Sequence, residues 1–287
     1  MLQRVLTAVV LIPPVIYLIG WSPKWVFLVA LVVTAEVGLF EFFAMSRQAG
    51  VKAYPVAGYL AGAAVCVIPA LQPRQPELSL LLLLVLLVLL APSLALGLTP
   101  DLKDYLAAAA TTIFGTVYVG LTLSCLVPLR FSEPPMGGTW LTSPATPHSA
   151  VGRNLLLLLF LVIWAGDIAA LFVGRALGRR PFFPHISPKK TVEGAVGGLA
   201  GSVLVGWVFA RWWWQTANVW PVMLLTLLIA LSGQVGDLVE SALKRGASMK
   251  DSGTLLPGHG GLLDRIDSLL FGAPALWLAL TVKDLWV

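Results

Sequence analysis

The sequence is short of charge. Only 11% of its 287 residues are Asp, Glu, Lys or Arg, whereas an average soluble domain has about 25%. Hydrophobic residues make up 58% of the chain, which is more apolar surface than a globular core can bury. The scarcity of charge therefore excludes an ordinary soluble domain and indicates that the protein uses lipid as its solvent.

Cysteine and nucleotide-binding motifs are also scarce. Cys66 and Cys125 both lie in apolar segments, so neither a disulfide framework nor a cysteine-based metal site is indicated. The sequence contains no GxxxxGK[ST] motif, which excludes a P-loop. Its net charge of +5 is basic, but no polar region of domain size exists to carry a nucleic-acid surface. We therefore expect no nucleic-acid partner.

Long apolar runs take the place of these features. A helix needs about 20 apolar residues to cross a bilayer. Hydropathy predicts about nine such spans, at 5–20, 25–45, 56–71, 78–98, 105–128, 154–174, 191–214, 219–241 and 267–286. The first lacks a small-x-small cleavage site, so we interpret it as a retained span and not as a signal peptide. Because the loops cannot supply a closed barrel, the predicted fold class is an all-α, polytopic integral membrane protein.

The distribution of Lys and Arg predicts the orientation in the membrane. With nine spans, thirteen basic residues lie on the side of the N-terminus and six on the other. The positive-inside rule then places two basic loops, 175–190 and 242–266, in the cytoplasm. We expect a multi-pass protein of the cell (inner) membrane whose active site faces the cytoplasm. Region 1–150 is interpreted as generic scaffold or lipid access, and region 151–287 as catalytic.

Acidic residues occur where lipid is expected. Five fall inside or at the ends of spans, namely Glu36, Glu41, Asp167, Asp237 and Glu240. Such residues usually face a protein interior or a watery cavity. For Glu36 and Glu41 we predict packing or interface roles, whereas Asp167 and Asp237 precede the two basic loops at similar depth. Glu240 is four residues before Lys244, which predicts a salt bridge on one helix face.

The second basic loop combines acid and base. Asp264 and Asp267 are three residues apart, so both project from one face as the last span begins, and with Asp237 they can converge on a hard cation. Four cations surround them: Lys244, Arg245, Lys250 and Arg265. A cluster of carboxylates surrounded by Lys and Arg side chains is typical of a site for a metal-bound polyphosphate. Several glycines in the loop allow close backbone approach to a ligand or positive φ, while His259 contacts phosphate or caps the turn.

The first basic loop supplies a complementary feature. Ser187 followed by Pro188 predicts an N-cap and a first helical position. The free amides of that helix start would attract an anion, assisted by Lys189 and Lys190. The alternative is that this loop is only a positive-inside anchor.

Three stretches carry a family resemblance. The run SALKRGASMKDSGTLLPGHGGLLDRID at 241–267 resembles the signature of the phosphatidate cytidylyltransferase (CDP-diacylglycerol synthase) family. DIAALFVGRALGR at 167–179 and ISPKKTVEG at 186–194 are similar to that family too. The resemblance implies transfer of the cytidylyl group from CTP to phosphatidate with release of pyrophosphate, Mg²⁺ dependence and a homodimer in the lipid bilayer. It leaves open a second, monovalent cation.

Resemblance and charge pattern together give the predicted site. The resemblance implies Asp237 and Asp264 as metal ligands, and we add Asp267. Lys244 and Arg265 join these three as predicted catalytic residues. The predicted substrate-binding residues are Asp167, Ser187, Lys189, Lys190, Thr191, Arg245, Lys250, Asp251 and His259.

Two other readings of the same features stay open. A cation-coupled membrane transporter also uses acids within spans and broken helices, but it has no need of a basic ring on one side. Another membrane transferase, acting on a CDP-alcohol or a polyprenyl phosphate, is the second alternative. The CDP-alcohol transferase pattern DGxxAR…GxxxDxxxD is absent from the sequence.

Overall fold

The computed structural model describes residues 2–72, 74–98, 102–132, 136–137, 141, 148–216, 218–253, 255 and 260–284. Within these residues, seven helices are long and apolar enough to cross a membrane, and two further apolar helices are shorter. The predicted all-α, polytopic membrane fold is confirmed. The exact number of nine spans stays a prediction.

The helices follow the apolar runs closely. Their bounds are α1 Leu2–Trp21, α2 Lys24–Gln48, α3 Pro55–Leu71, α4 Pro76–Leu98, α5 Tyr105–Phe131, α6 His148–Leu177, α7 Val192–Trp213, α8 Trp220–Gly246 and α9 Leu263–Asp284. Helix α5 contains a π-helical segment, Thr116–Leu121, and α7 ends in another, Phe209–Trp213. We call residues 247–262, between α8 and α9, the signature loop.

A short hairpin corrects the predicted helix start after α6. Strand β1, Pro181–Phe183, pairs antiparallel with β2, Ser187–Thr191. The predicted N-cap at Ser187 is therefore wrong, because that residue begins a strand. Thr191 caps α7 instead: its backbone is extended, and its hydroxyl accepts a hydrogen bond from the amide of Gly194 at 3.1 Å. Pairing with β1 keeps the residues of β2 extended, so the helix cannot begin before Thr191.

Direct polar and backbone contacts join the four C-terminal helices. The Ser202 hydroxyl of α7 donates to the Val162 carbonyl of α6 at 2.8 Å. The Gln234 amide of α8 donates to the Ala195 carbonyl of α7 at 2.9 Å. Helices α8 and α9 approach so closely that a Cβ at Gly236 would lie 2.6 Å from the Asp267 carbonyl oxygen. This contact sets Asp237, the next residue along α8, beside α9.

Helix α2 ties the N-terminal region to α9. At Gly38 of α2, a Cβ would lie 2.9 Å from the Val119 side chain of α5 and 3.8 Å from the Leu263 and Ile266 side chains of α9. One turn further along α2, Glu41 is buried, with 4% of its surface exposed. The start of α9 is thus packed against α2 on one side and α8 on the other.

Candidate active site

A cavity of about 860 Å³ lies between α6, α7, α8, α9 and the hairpin. Its wall includes acidic and basic side chains from several of these elements. Apolar residues of α6 and α8, among them Ile163, Leu171 and Ile229, line part of the same space. A cavity with a charged region beside an apolar one suits a ligand that has an anionic head and an apolar body.

Lys190 of the hairpin forms an ion pair with Asp237 of α8 inside this cavity, and both side chains are 30% exposed. A second contact joins the same two regions, because Arg245 donates through Nε to the Ile186 carbonyl at 3.2 Å. The two basic loops are therefore neighbours in space.

Lys244 lies between two carboxylates. It forms ion pairs with Glu240, one helical turn earlier on α8, and with Asp264 of α9, whose Oδ1 is 2.5 Å from Lys244 Nζ. Glu240 is fully buried, and the predicted Glu240–Lys244 salt bridge is present. An ammonium has three donors, and among the described residues only Glu240 and Asp264 pair with Lys244, which also lines the cavity.

Asp264 is held by the signature loop. Its Oδ2 accepts hydrogen bonds from the Ser252 amide at 2.9 Å and the Gly261 amide at 2.9 Å, and the Ser252 hydroxyl is 3.0 Å away. Together with Lys244 on Oδ1, these donors fix the orientation of the carboxylate. Asp264 therefore organises the loop as well as lining the cavity.

The carboxylates of the cavity suit a hard cation. Asp167, Asp237, Asp264 and Asp267 all line it. Among the described residues, no three His, Cys, Asp or Glu side chains are grouped closely enough to share one ion. Mg²⁺, however, is usually bound by one or two carboxylates, with substrate phosphates and waters completing its octahedron. The donor set thus fits a cation that is shared with a phosphate ligand.

Most of the predicted site residues meet at the cavity. Its lining contains ten of them: Asp167, Lys189, Lys190, Thr191, Asp237, Lys244, Asp251, Asp264, Arg265 and Asp267. Of the other predicted residues that the structure describes, Ser187 lies in β2, Lys250 is exposed, and Arg245 holds the Ile186 and Met249 carbonyls. His259 lies outside the described residues.

Sequence reasoning missed the connection of Glu41 to this site. Its Oε1 accepts from the Leu262 amide at 2.9 Å and its Oε2 from the Leu263 amide at 2.8 Å, with the Ser252 hydroxyl 2.9 Å from Oε2. Glu41 and Ser252 are 211 residues apart in the chain. The only signal in the sequence is a carboxylate inside an apolar span.

The fold and the cavity define a polytopic membrane protein with a built site for a phosphorylated ligand. Comparison with known proteins gives the family. The chain matches the cytidylyltransferase family over residues 2–283. A phosphatidate cytidylyltransferase of Synechocystis sp. is 35% identical over 294 residues, which is 96% of this chain and 94% of that protein.

Shorter and more similar matches agree with this. A phosphatidate cytidylyltransferase of Bacillus subtilis is 48% identical over 126 residues, 42% of this chain and 45% of that protein. Another from Staphylococcus haemolyticus is 46% identical over 125 residues, 44% of this chain and 48% of that protein. The chain belongs to the cytidylyltransferase family, and the predicted resemblance is confirmed.

Proposed function

We propose that the chain transfers the cytidylyl group of CTP to phosphatidate, forming CDP-diacylglycerol and pyrophosphate. The observation that carries this proposal is the Lys190–Asp237 pair inside the 860 Å³ cavity, where the two loops that resemble the family's motifs come together. The matched proteins of Synechocystis and Bacillus subtilis are phosphatidate cytidylyltransferases, which supports the same substrates.

The reaction requires little proton transfer. A phosphate monoester has its second pKa near ~6, so most of the phosphatidate is a dianion at neutral pH. One of its oxygens forms a bond to the α-phosphorus of CTP, while the bond from that phosphorus to the bridging oxygen breaks and pyrophosphate leaves. The difficulty is to bring two polyanions together. Positioning and charge stabilisation should therefore supply most of the catalysis.

The cations of the cavity fit that task. Lys189 and Lys190 approach from the hairpin, and Arg265 from α9. Lys244 joins them from α8, where it lines the cavity and two of its three donors serve Glu240 and Asp264. Because they reach the space from different elements, they can contact the triphosphate and the lipid phosphate from several directions.

Magnesium would be held by Asp237 and Asp267, two carboxylates that line the cavity, with phosphate oxygens and waters as its other ligands. Asp264, whose oxygens already bind Lys244 and two amides of the signature loop, would hold the surrounding residues in place. When bound, such an ion neutralises phosphate charge and activates the phosphorus. With the ion bound, Asp237 would no longer pair with Lys190, and the Lys190 ammonium would be available to phosphate.

We propose that the cavity opens to the cytoplasm from the inner membrane. The thirteen-to-six bias in basic residues supports this side. Exposed tryptophans lie at the opposite ends of the helices, where they suit the other membrane interface: Trp21, Trp25, Trp212, Trp213 and Trp220. A homodimer, which the resemblance implies, stays a prediction.

The test of the function uses purified protein in vesicles, with CTP labelled at the α-phosphorus. Phosphatidate and Mg²⁺ should give a labelled lipid, and diacylglycerol, which lacks the phosphate, should give none. A protein that binds CTP but leaves all the label in water-soluble products would contradict the proposal, as would label transferred to diacylglycerol.

Replacement of the hairpin lysines tests their contact with phosphate. Lys190→Ala removes a cation and leaves Asp237 without its partner, and Lys189→Ala removes the neighbouring cation. For each we expect kcat/KM for CTP to fall at least ~10-fold, or ~1.4 kcal/mol. The control is Lys52→Ala, since Lys52 is paired with Asp104 and lies outside the cavity lining. Normal kcat/KM in both hairpin variants would mean that the loop is only a topological anchor.

A further inference from the structure

We propose that Glu41 of α2 is a positioning residue of the active site: its buried carboxylate holds the signature loop and the first turn of α9 in the geometry that orients Asp264. The inference rests on the proposed function. It assigns to the N-terminal region a part in the site that the sequence did not indicate.

The contacts of Glu41 are specific. Leu262 and Leu263 are the last residue before α9 and its first residue. Their amides belong to the free N–H groups that every helix start must satisfy, and Glu41 accepts from both at 2.9 and 2.8 Å. A carboxylate at this end of a helix is also stabilised by the helix dipole. Glu41 is therefore an N-terminal cap supplied by a distant helix.

The loop is shaped around this carboxylate. A Cβ at Gly253 would lie 2.7 Å from Glu41 Oε1, and a Cβ at Gly261 would lie 2.5 Å from Oε2. The sequence predicts that such glycines allow approach to a ligand. At Gly253 the group that the backbone approaches is Glu41 itself. At Gly261 it is Glu41 together with the Ser252 hydroxyl, which lies closer still to that Cβ position. At Gly260, by contrast, φ is +79°, as predicted for a position that favours glycine.

Ser252 links Glu41 to the cavity. Its hydroxyl is 2.9 Å from Glu41 Oε2 and 3.0 Å from Asp264 Oδ2. A hydroxyl has one proton, so at any moment it donates to one of the two carboxylates, Glu41 or Asp264. The Ser252 and Gly261 amides also bind Asp264, which in turn binds Lys244. The chain of contacts from α2 thus ends at two residues that line the cavity.

The test compares Glu41→Gln with Glu36→Gln in the full-length protein. Glu36 is on the same helix and has a buried oxygen, but no hydrogen bond to that oxygen is present within the described residues. In Glu41→Gln, the new side-chain amide would turn a donor toward the Leu262 amide, the Leu263 amide or Ser252. We expect kcat to fall at least ~10-fold, with KM for CTP changing less than about threefold. Glu36→Gln should keep kcat within about twofold of wild type.

A second measurement reports on the contacts without activity. Hydrogen exchange in peptides covering residues 260–266 should be at least ~10-fold faster in Glu41→Gln than in Glu36→Gln. Equal exchange and equal kcat in the two variants would overturn the proposal. If Glu41→Gln does not fold, amide hydrogen exchange in the wild-type protein is measured instead. Exchange at 262–263 as slow as in the middle of α9 supports the cap. Unprotected amides at 262–263 overturn it. If the wild-type protein itself forms no CDP-diacylglycerol, the proposed function is contradicted, and the exchange measurement still tests the role of Glu41.

Discussion

Asp237→Asn should lower kcat for cytidylyl transfer at least ~100-fold, about 2.7 kcal/mol in the barrier, and leave the protein folded. Asn keeps the size of the side chain and removes its charge. The α8 wall of the cavity then lacks a carboxylate for a hard cation, and Lys190 loses its ion-pair partner. Because Asp237 is partly exposed to the cavity, we expect little effect on folding.

The matched control is Asp104→Asn. Asp104 is also paired with a lysine, Lys52, but at the protein surface and outside the cavity lining. Activity should stay within about twofold of wild type, because surface ion pairs contribute little. Retention of more than about a tenth of kcat in Asp237→Asn, a cost below ~1.4 kcal/mol, would exclude a role for this carboxylate as a metal ligand.

Lys244→Met should destabilise the protein by about 3–5 kcal/mol, because it leaves two buried carboxylates without their cation. The side chain of Glu240 is fully buried, and that of Asp264 is 8% exposed. Glu240 has no other hydrogen-bond partner within the part of the chain that the structure describes. The thermal midpoint in detergent measures this loss.

The double variant Lys244→Met with Glu240→Gln separates stability from chemistry. Neutralising Glu240 removes one of the two uncompensated charges, so we expect at least half of the lost stability to return. Activity should stay at least ~100-fold below wild type, since the lysine that lines the cavity is still absent. A Lys244→Met variant as stable as wild type would contradict the stabilising ion pairs of Lys244 with Glu240 and Asp264. A fully active double variant would show that Lys244 has no role in catalysis.

Much of the fold could be predicted because lipid imposes one strong rule. A span needs a long apolar run and a helix, and the boundaries of α3 and α8 follow from their runs within a few residues. The sequence also put Lys190 and Asp237 in one predicted site, although it did not predict that they pair. Local spacing predicted the salt bridge between Glu240 and Lys244, because residues four apart share a helix face.

The rest depends on contacts that leave no local pattern. Ser187 and Pro188 have the composition of a helix start, yet pairing with β1 keeps them extended. Glu41 meets Leu262 across 221 residues of chain, and no spacing rule connects them. Two glycines of the signature loop leave room for that carboxylate and, at Gly261, also for the Ser252 hydroxyl, whereas composition alone points to a ligand. Strand pairing within the hairpin decides the first of these cases, and tertiary contacts decide the other two.

The central claim is that the hairpin and the signature loop form one CTP site that faces the cytoplasm. Amine labelling of native lysines tests this claim most directly. An impermeant acylating reagent is applied to inside-out and right-side-out vesicles, and the modified lysines are identified by mass spectrometry. Lys189 is exposed and lines the cavity, whereas the Lys52 side chain is 65% exposed and lies outside the lining. We predict that both react only in inside-out vesicles, and that saturating CTP with Mg²⁺ slows Lys189 at least ~5-fold without affecting Lys52. Labelling of Lys189 from the outer face, or labelling that CTP does not slow, would contradict the account.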